Sequence, residues 1–492
     1  MLTRRQFAVG SATIIGAGVL GSGRAGKADA LDFHTPLPIP KLIDAAKEGN
    51  SVRLRAASSR HSFFNAKPAP TYGYSASLLG PVIRLRRGDE VEMVVENMLG
   101  CDTTVHWHGL AVPGAFDGGP HQVVRSGESW RTVLKIDQPA STAWYHPHAH
   151  HDIARQVYMG LAGLIIVDDG SDSLHNLPRT YGIDDLPIIL QDRSFAPDGS
   201  LVYSPSPLSV TYGSRGDTII VNGAVGPVAR VPRGLVRLRI LDGANARNFY
   251  LRFSDRRTFH VIASDSGMLG RPVAVRELRL SPGERFEILV DFADRRAVTL
   301  ETGPDEELGA FGAMAERRID GEYEPVMRFE PTGTHPAVKD LPARLVEPAA
   351  ADPARAVRRR QFILDSGMCM PPDQRDEIHM GVDRVMCING KSHDPARIDE
   401  SVEIGTTEIW EVFSLGMAHP FHIHGASFRI LSISDAPPPA HLMGWKDVVL
   451  VEEKAELLVA FNRPATAQCP FMYHCHILEH EDAGMMGQYV CI

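Results

Sequence analysis

The chain carries no surplus of positive charge: 51 Lys and Arg stand against 60 Asp and Glu, a formal charge of −9. Nucleic acid is thereby disfavoured as the main partner, because phosphate binding calls for basic patches and only short basic groups occur. Outside the N-terminus there is also no apolar run of about twenty residues, the length that spans a bilayer. The mature chain is therefore expected to be soluble and without a stable membrane anchor. What the chain does have is globular in balance, 43% hydrophobic and 23% charged. Its 44 Gly and 35 Pro imply many turns and hence a β-rich fold. A length of 492 residues exceeds one ordinary core and suggests two to four domains.

The N-terminus reads as an export signal. Thr3-Arg4-Arg5-Gln6-Phe7 precedes a Gly- and Ala-rich, weakly apolar run from Ala8 to Gly23, and Ala28-Asp29-Ala30 fits a small-residue cleavage site. The paired arginines resemble a twin-arginine signal, a route that carries folded proteins. Recognition by that machinery and a periplasmic location are the expectations.

Behind this segment the sequence repeats itself. Val91 to Asn97 alternates like a half-buried strand and leads to His106-Trp107-His108-Gly109; Thr407 to Phe413 leads likewise to His422-Ile423-His424-Gly425. Trp144-Tyr145-His146-Pro147-His148 parallels Met472-Tyr473-His474-Cys475-His476. Proline stands in the first copy where Cys475 stands in the last, and proline cannot ligate a metal. Between the copies, alternating strands such as Val236 to Ile240 and Glu287 to Asp291 build a third unit without any His-x-His pair, read as a spacer. The expected division is a signal at 1–30, domains at 31–170 and 171–341, a Pro- and Ala-rich linker at 342–357, and a last domain at 358–492. Short strands and turn signals repeated three times suggest Greek-key β-sandwiches.

His-x-His occurs at His106/His108, His146/His148, His148/His150, His422/His424 and His474/His476. With 21 His in the chain, chance gives roughly one such pair. On a strand, alternate side chains share a face about 6–7 Å apart, so His474 and His476 would point one way and Cys475 the other. One tripeptide could then touch two metal sites. Imidazole suits copper, zinc, iron and nickel; a thiolate with a weak thioether contact narrows the choice to copper. If Cys475 is a ligand, then Cys101, Cys369, Cys387, Cys469 and Cys491 remain, allowing two disulfides and a free thiol in an exported protein, with pairing unassigned.

With these motifs, and Asp117-Gly118-Gly119-Pro120 and His419-Pro420-Phe421-His422, nearly the whole mature chain resembles the multicopper oxidases, most of all bacterial copper-efflux oxidases and then laccases. The resemblance implies an all-β fold of three cupredoxin-like domains and four copper ions. Type 1 (blue) copper would take His419, Cys475, His480 and axial Met485. Type 2 would take His106 and His422, and the type 3 pair would take His108, His146, His148, His424, His474 and His476. Asp117 and Glu481 match acidic positions near the cluster, either delivering protons or orienting a histidine. His150, His151 and Met486 match no ligand.

The implied activity couples one-electron oxidation of a small donor to four-electron reduction of O₂ to water, in a protein expected to be monomeric. Met417 matches a methionine of the relatives' substrate copper site, whereas Leu415 stands where they have an acid. The methionine-rich insert of those relatives is here short, from Met368-Cys369-Met370 through His379-Met380 to Met386-Cys387. Phenols and aromatic amines are therefore the expected donors, with Cu(I) the alternative, in a dedicated cuprous oxidase for copper tolerance and homeostasis. The other alternative is a non-catalytic copper-binding envelope protein; non-enzymatic members of this scaffold have lost ligands that this chain keeps.

Overall fold

Alternation in the sequence becomes alternation in space. Along the strand Ser51–His61, Val52, Leu54 and Ala56 are buried while Ser51, Arg53 and Arg55 face outward. It pairs in parallel with Glu90–Met98, setting Leu54 beside Val95. The computed structural model describes residues 33–64, 67–171, 176–305, 323–333, 335, 337–347, 349, 351–366 and 386–492. The expected signal segment and the methionines at 368–380 lie outside the described residues.

The strands of the described residues fall into six sheets, which follow the chain two by two. Residues 42–168 supply two four-stranded sheets. Residues 185–331 supply one of seven strands and one of five, and residues 358–491 supply two of five. Each pair closes as a sandwich of mixed parallel and antiparallel strands. The fold is all-β and built of cupredoxin-like domains, as expected.

The apolar core of the middle sandwich runs on into the last. One contiguous cluster joins Phe253, Phe286 and Phe329 to Phe362, Trp410 and Tyr473. The first sandwich has its own core, around Trp107, Tyr74 and Tyr145. The stretch expected as a linker is partly tied down: Leu345 is buried and its N–H donates to Gly270 O at 3.1 Å. Among the described residues, no helix is long and apolar enough to cross a membrane.

Two expectations change. Cys101, Cys469 and Cys491 are free thiols, which leaves no room for two disulfides; Cys387 is disulfide-bonded, to a partner outside the described residues. The strand holding His474 ends at Cys475, and the chain turns at His476 into the short helix Leu478–Asp482. His476 is thus on a bend and His480 on a helix, which frees both rings from strict strand alternation.

Candidate metal centre

Three of the histidine pairs sit where a strand gives out, and His106/His108 lie in the loop beyond the strand Glu90–Met98. In the first sandwich His106 and His146 face each other across a backbone bridge. In the last, His422 and His474 are register partners in adjacent antiparallel strands. The two half-sites interlock face to face: His106 stacks on His424 with centroids 3.8 Å apart, and His108 on His422 at 3.7 Å. His148 Nε2 lies 3.4 Å from His474 Nε2, which is 3.1 Å from His424 Nε2. Two nitrogens bound to one ion at ~2.0–2.1 Å and near a right angle are about 3 Å apart, so this spacing suits a shared metal.

The chemistry of these rings fits a cation better than it fits a dry core. All eight are buried. Burial holds His108, His146, His422, His424 and His476 well below the usual imidazole range, and lowers His148 to about 3 and His474 to about 4. Those seven rings are neutral and offer lone pairs. His106 Nε2, His422 Nε2 and both nitrogens of His476 are buried without a hydrogen-bond partner. A buried polar atom left unpaired costs roughly 1–3 kcal/mol, so a cluster of them calls for a ligand. Nitrogens of His106, His422 and His424 lie within 4.8 Å of one another, as do those of His106, His108 and His146, and of His148, His424 and His474.

A second group collects behind Cys475. Ligand atoms of His419, Cys475 and His480 also lie within 4.8 Å of one another. Cys475 Sγ is 3.7 Å from His480 Nδ1 and accepts the Ile477 N–H at 3.3 Å. Burial pushes the Cys475 thiol far up, so a thiolate here requires a cation beside it. Met485 is fully buried next in line, its N–H donating to His480 O and its carbonyl accepting from Cys475 N–H. His419 Nε2 is unpartnered, while its Nδ1 is 2.5 Å from Ser414 Oγ, which also donates to Met417 O. Met417 is half-buried, its carbonyl taking the Ser414 hydroxyl that also meets His419, and Leu415 is exposed.

Outer contacts fix several of these rings by their other nitrogen. Nδ1 of His106, His422 and His474 meets the carbonyls of Asp117, Asp447 and Cys475 at 3.0, 2.7 and 2.9 Å. His424 Nδ1 meets Asp117 Oδ2 at 2.7 Å. Gly118, at φ 81°, lets that loop fold under the site; a Cβ there would lie 1.7 Å from Val105 O. Glu481 Oε1 is 2.9 Å from His148 Nε2, and Oε2 is 3.4 Å from His474 Nδ1, close but not aligned as hydrogen bonds. Burial raises Glu481 to about 7.

Replacing Asp117 with alanine removes the carboxylate from His424 Nδ1 and is expected to loosen that ring and weaken copper retention about 10–100-fold, measured by dialysis against a chelator. Asp117→Asn keeps an acceptor oxygen. It should retain copper, and loss of turnover in that variant would mark a proton-delivery role.

Several residues here escaped sequence reasoning. Asp447 Oδ1 reaches His108 Nε2 at 3.1 Å, and Arg285 donates at 2.6 Å to each oxygen of the Asp447 carboxylate. Thr211 O meets His480 Nε2 at 3.0 Å. Glu479, beside it, takes hydrogen bonds from Ser214 N–H and Asn245 Nδ2. Arg285, Thr211, Ser214 and Asn245 all belong to the stretch read as a spacer. It supplies no metal ligand among its described residues, yet it orients the rings that would.

Family comparison agrees with this geometry. Profiles described as Multicopper oxidase match residues 56–172 and 369–491. Multicopper oxidase mco of Staphylococcus aureus is 35% identical over 92% of this chain and 91% of its own length. The chain belongs to the multicopper oxidase family. Cell division protein FtsP of Xenorhabdus nematophila is 36% identical over 99% of this chain and 98% of its own length. Among solved structures, the laccase-like multi-copper oxidase CueO of Ochrobactrum sp. superposes with a TM-score of 0.85 at 45% identity. That match covers 93% of this chain and all of the other, a protein described as having oxidase activity towards lignin model compounds and lignosulfonate.

Proposed function

We propose that this family member is a working copper oxidase, exported by a twin-arginine signal to the periplasm, that passes single electrons from small donors to O₂ and releases water. The observation that carries this is the convergence of inward imidazole nitrogens without protein partners, together with Cys475, His480 and Met485, in two adjoining groups. His419, Cys475, His480 and Met485 would hold type 1 copper. His106 and His422 would hold type 2, and His108, His146, His148, His424, His474 and His476 the type 3 pair. When bound, these four ions supply one-electron acceptance and the electrons that reduce O₂.

The chain's own part is to hold, connect and hydrate. Cys475 is covalently flanked by His474 and His476, so the two groups are joined through one short stretch of backbone. The Ile477 N–H on Sγ tunes the sulfur, as hydrogen bonds to a copper thiolate do. Glu481, raised to about 7, can hold a proton at its carboxyl beside His148 and Asp117 can accept one beside His424, where oxygen reduction consumes protons.

Exposed Leu415 in place of an acid weakens the case for a dedicated Cu(I) donor site, and the lignin-directed activity of the Ochrobactrum relative favours aromatic donors. Oxygen uptake by the copper-loaded protein should therefore be seen with a phenol such as dimethoxyphenol and with aromatic amines. Uptake with Cu(I) alone would make the protein a dedicated cuprous oxidase. Full copper loading with no uptake from any donor would leave a non-catalytic copper-binding envelope protein.

A further inference from the structure

A second histidine group lies outside the twelve side chains above. His393 is only 4% exposed, and neither of its ring nitrogens has a hydrogen-bond partner. Its ring stands edge-on to that of His150, centroids 4.8 Å apart at 82°. His150 in turn lies against His151, with centroids 3.7 Å apart. Exposure falls along this series, from exposed His151 through half-buried His150 to buried His393. His151 holds φ at 75°, a left-handed conformation that costs a non-glycine residue energy and needs support from its surroundings.

The group is anchored at both ends to the centre already described. His150 is two residues past His148. His393 N–H donates at 3.0 Å to the carbonyl of Gly484, the residue before Met485. Burial and the neighbouring rings of His150, His148 and His121 lower His393 to about 2, so its ring is a neutral donor. His121 is engaged elsewhere, its Nε2 2.8 Å from Gln488 Oε1.

We propose that His150 and His393 form a two-imidazole seat for a cuprous ion, an additional copper site on the way from solvent to the cluster histidines. Imidazole is a competent copper ligand, and a closed-shell monovalent ion accepts two such donors in a two-coordinate complex that carries a single positive charge. The arrangement explains why a buried ring keeps two bare nitrogens, an expense that packing alone does not return. The choice of copper rests on the oxidase reading; the existence of the seat does not.

The test is copper content after anaerobic dialysis of the fully loaded, reduced protein against a buffered Cu(I) solution. Unaltered protein should retain about one copper more than His393→Phe, while His393→Met, which restores a soft donor, should recover it. After reoxidation in air, equal blue absorption in all samples shows that the Cys475 group is intact. If His393→Phe does not fold, His150→Phe reads the same pair from its other side. Unaltered protein that saturates at about four coppers overturns the proposal without any variant, as does equal content in protein and variant; the nitrogens would then be served by water. Absence of blue absorption throughout would instead count against the oxidase reading, a separate outcome.

Discussion

Cys475→Ser is expected to leave a folded, colourless protein with almost no turnover. The side chain is fully buried at the end of the strand Phe471–Cys475, where its backbone pairs with Phe421. Serine fits that backbone and removes little volume, so the sandwich should survive. The loss is chemical. A buried hydroxyl ionises far less readily than a thiol, and its hard oxygen is a poor partner for the copper that sulfur selects. Altering outer contacts of a metal site costs about 10–100-fold, so removing the sulfur itself should cost more than about 100-fold in oxygen uptake. His474 and His476 remain in place, and copper content should fall by one ion rather than collapse. Visible absorption, copper analysis and oxygen uptake on one sample check this. A variant that stays blue or keeps turning over would remove Cys475 from the electron route.

The histidines were legible because of where they occur. A strand end followed by a tight turn concentrates side chains locally, and His-x-His spacing keeps that local signature in the sequence. Cys475 and His480 were found in the same way, five residues apart and brought together by a short helix that the sequence pattern did not foretell. The residues that escaped have no such signature. Asp447 meets His108, 339 residues away in sequence, and Arg285 closes on Asp447 from 162 residues away. Neither has a period or a neighbour that announces it. The middle sandwich looked like a spacer because ligand chemistry was the only signal sought. Its contribution is the Thr211 carbonyl, the Ser214 N–H, the Asn245 and Arg285 side chains, and a glycine, Gly283, whose Cβ would crowd His476 Cδ2 at 2.8 Å. His393 was invisible for a related reason: a lone histidine acquires meaning only when another loop sets His150 against it.

Removing copper should make the protein acid-labile in a window where the loaded protein is stable. In the metal-free fold, burial lowers His148 to about 3 and His474 and His480 to about 4, from an ordinary 6.5. Below pH 6.5 the unfolded chain binds protons at these positions and the folded chain does not, so stability falls as pH falls and goes on falling until the folded values are reached. A shift of two and a half units corresponds to about 3 kcal/mol for each ring at pH 4. Two such rings approach the total stability of a typical domain, about 5–15 kcal/mol. Glu481, raised to about 7, works the other way: its folded form gains a proton first, which steadies the fold as pH drops through neutrality. Asp242, Glu479 and Asp482, also raised by burial, act in the same sense, but they do so in stripped and loaded protein alike and so do not close the difference between the two. With copper bound, the same lone pairs are occupied and a proton must displace a metal, which adds the binding free energy to the barrier against acid. Urea or thermal melts of stripped and loaded protein from pH 7.5 to 4 should therefore diverge, the stripped form losing most of its stability between about pH 6 and 4. Parallel curves across that window would mean that the buried imidazoles do not hold the metal.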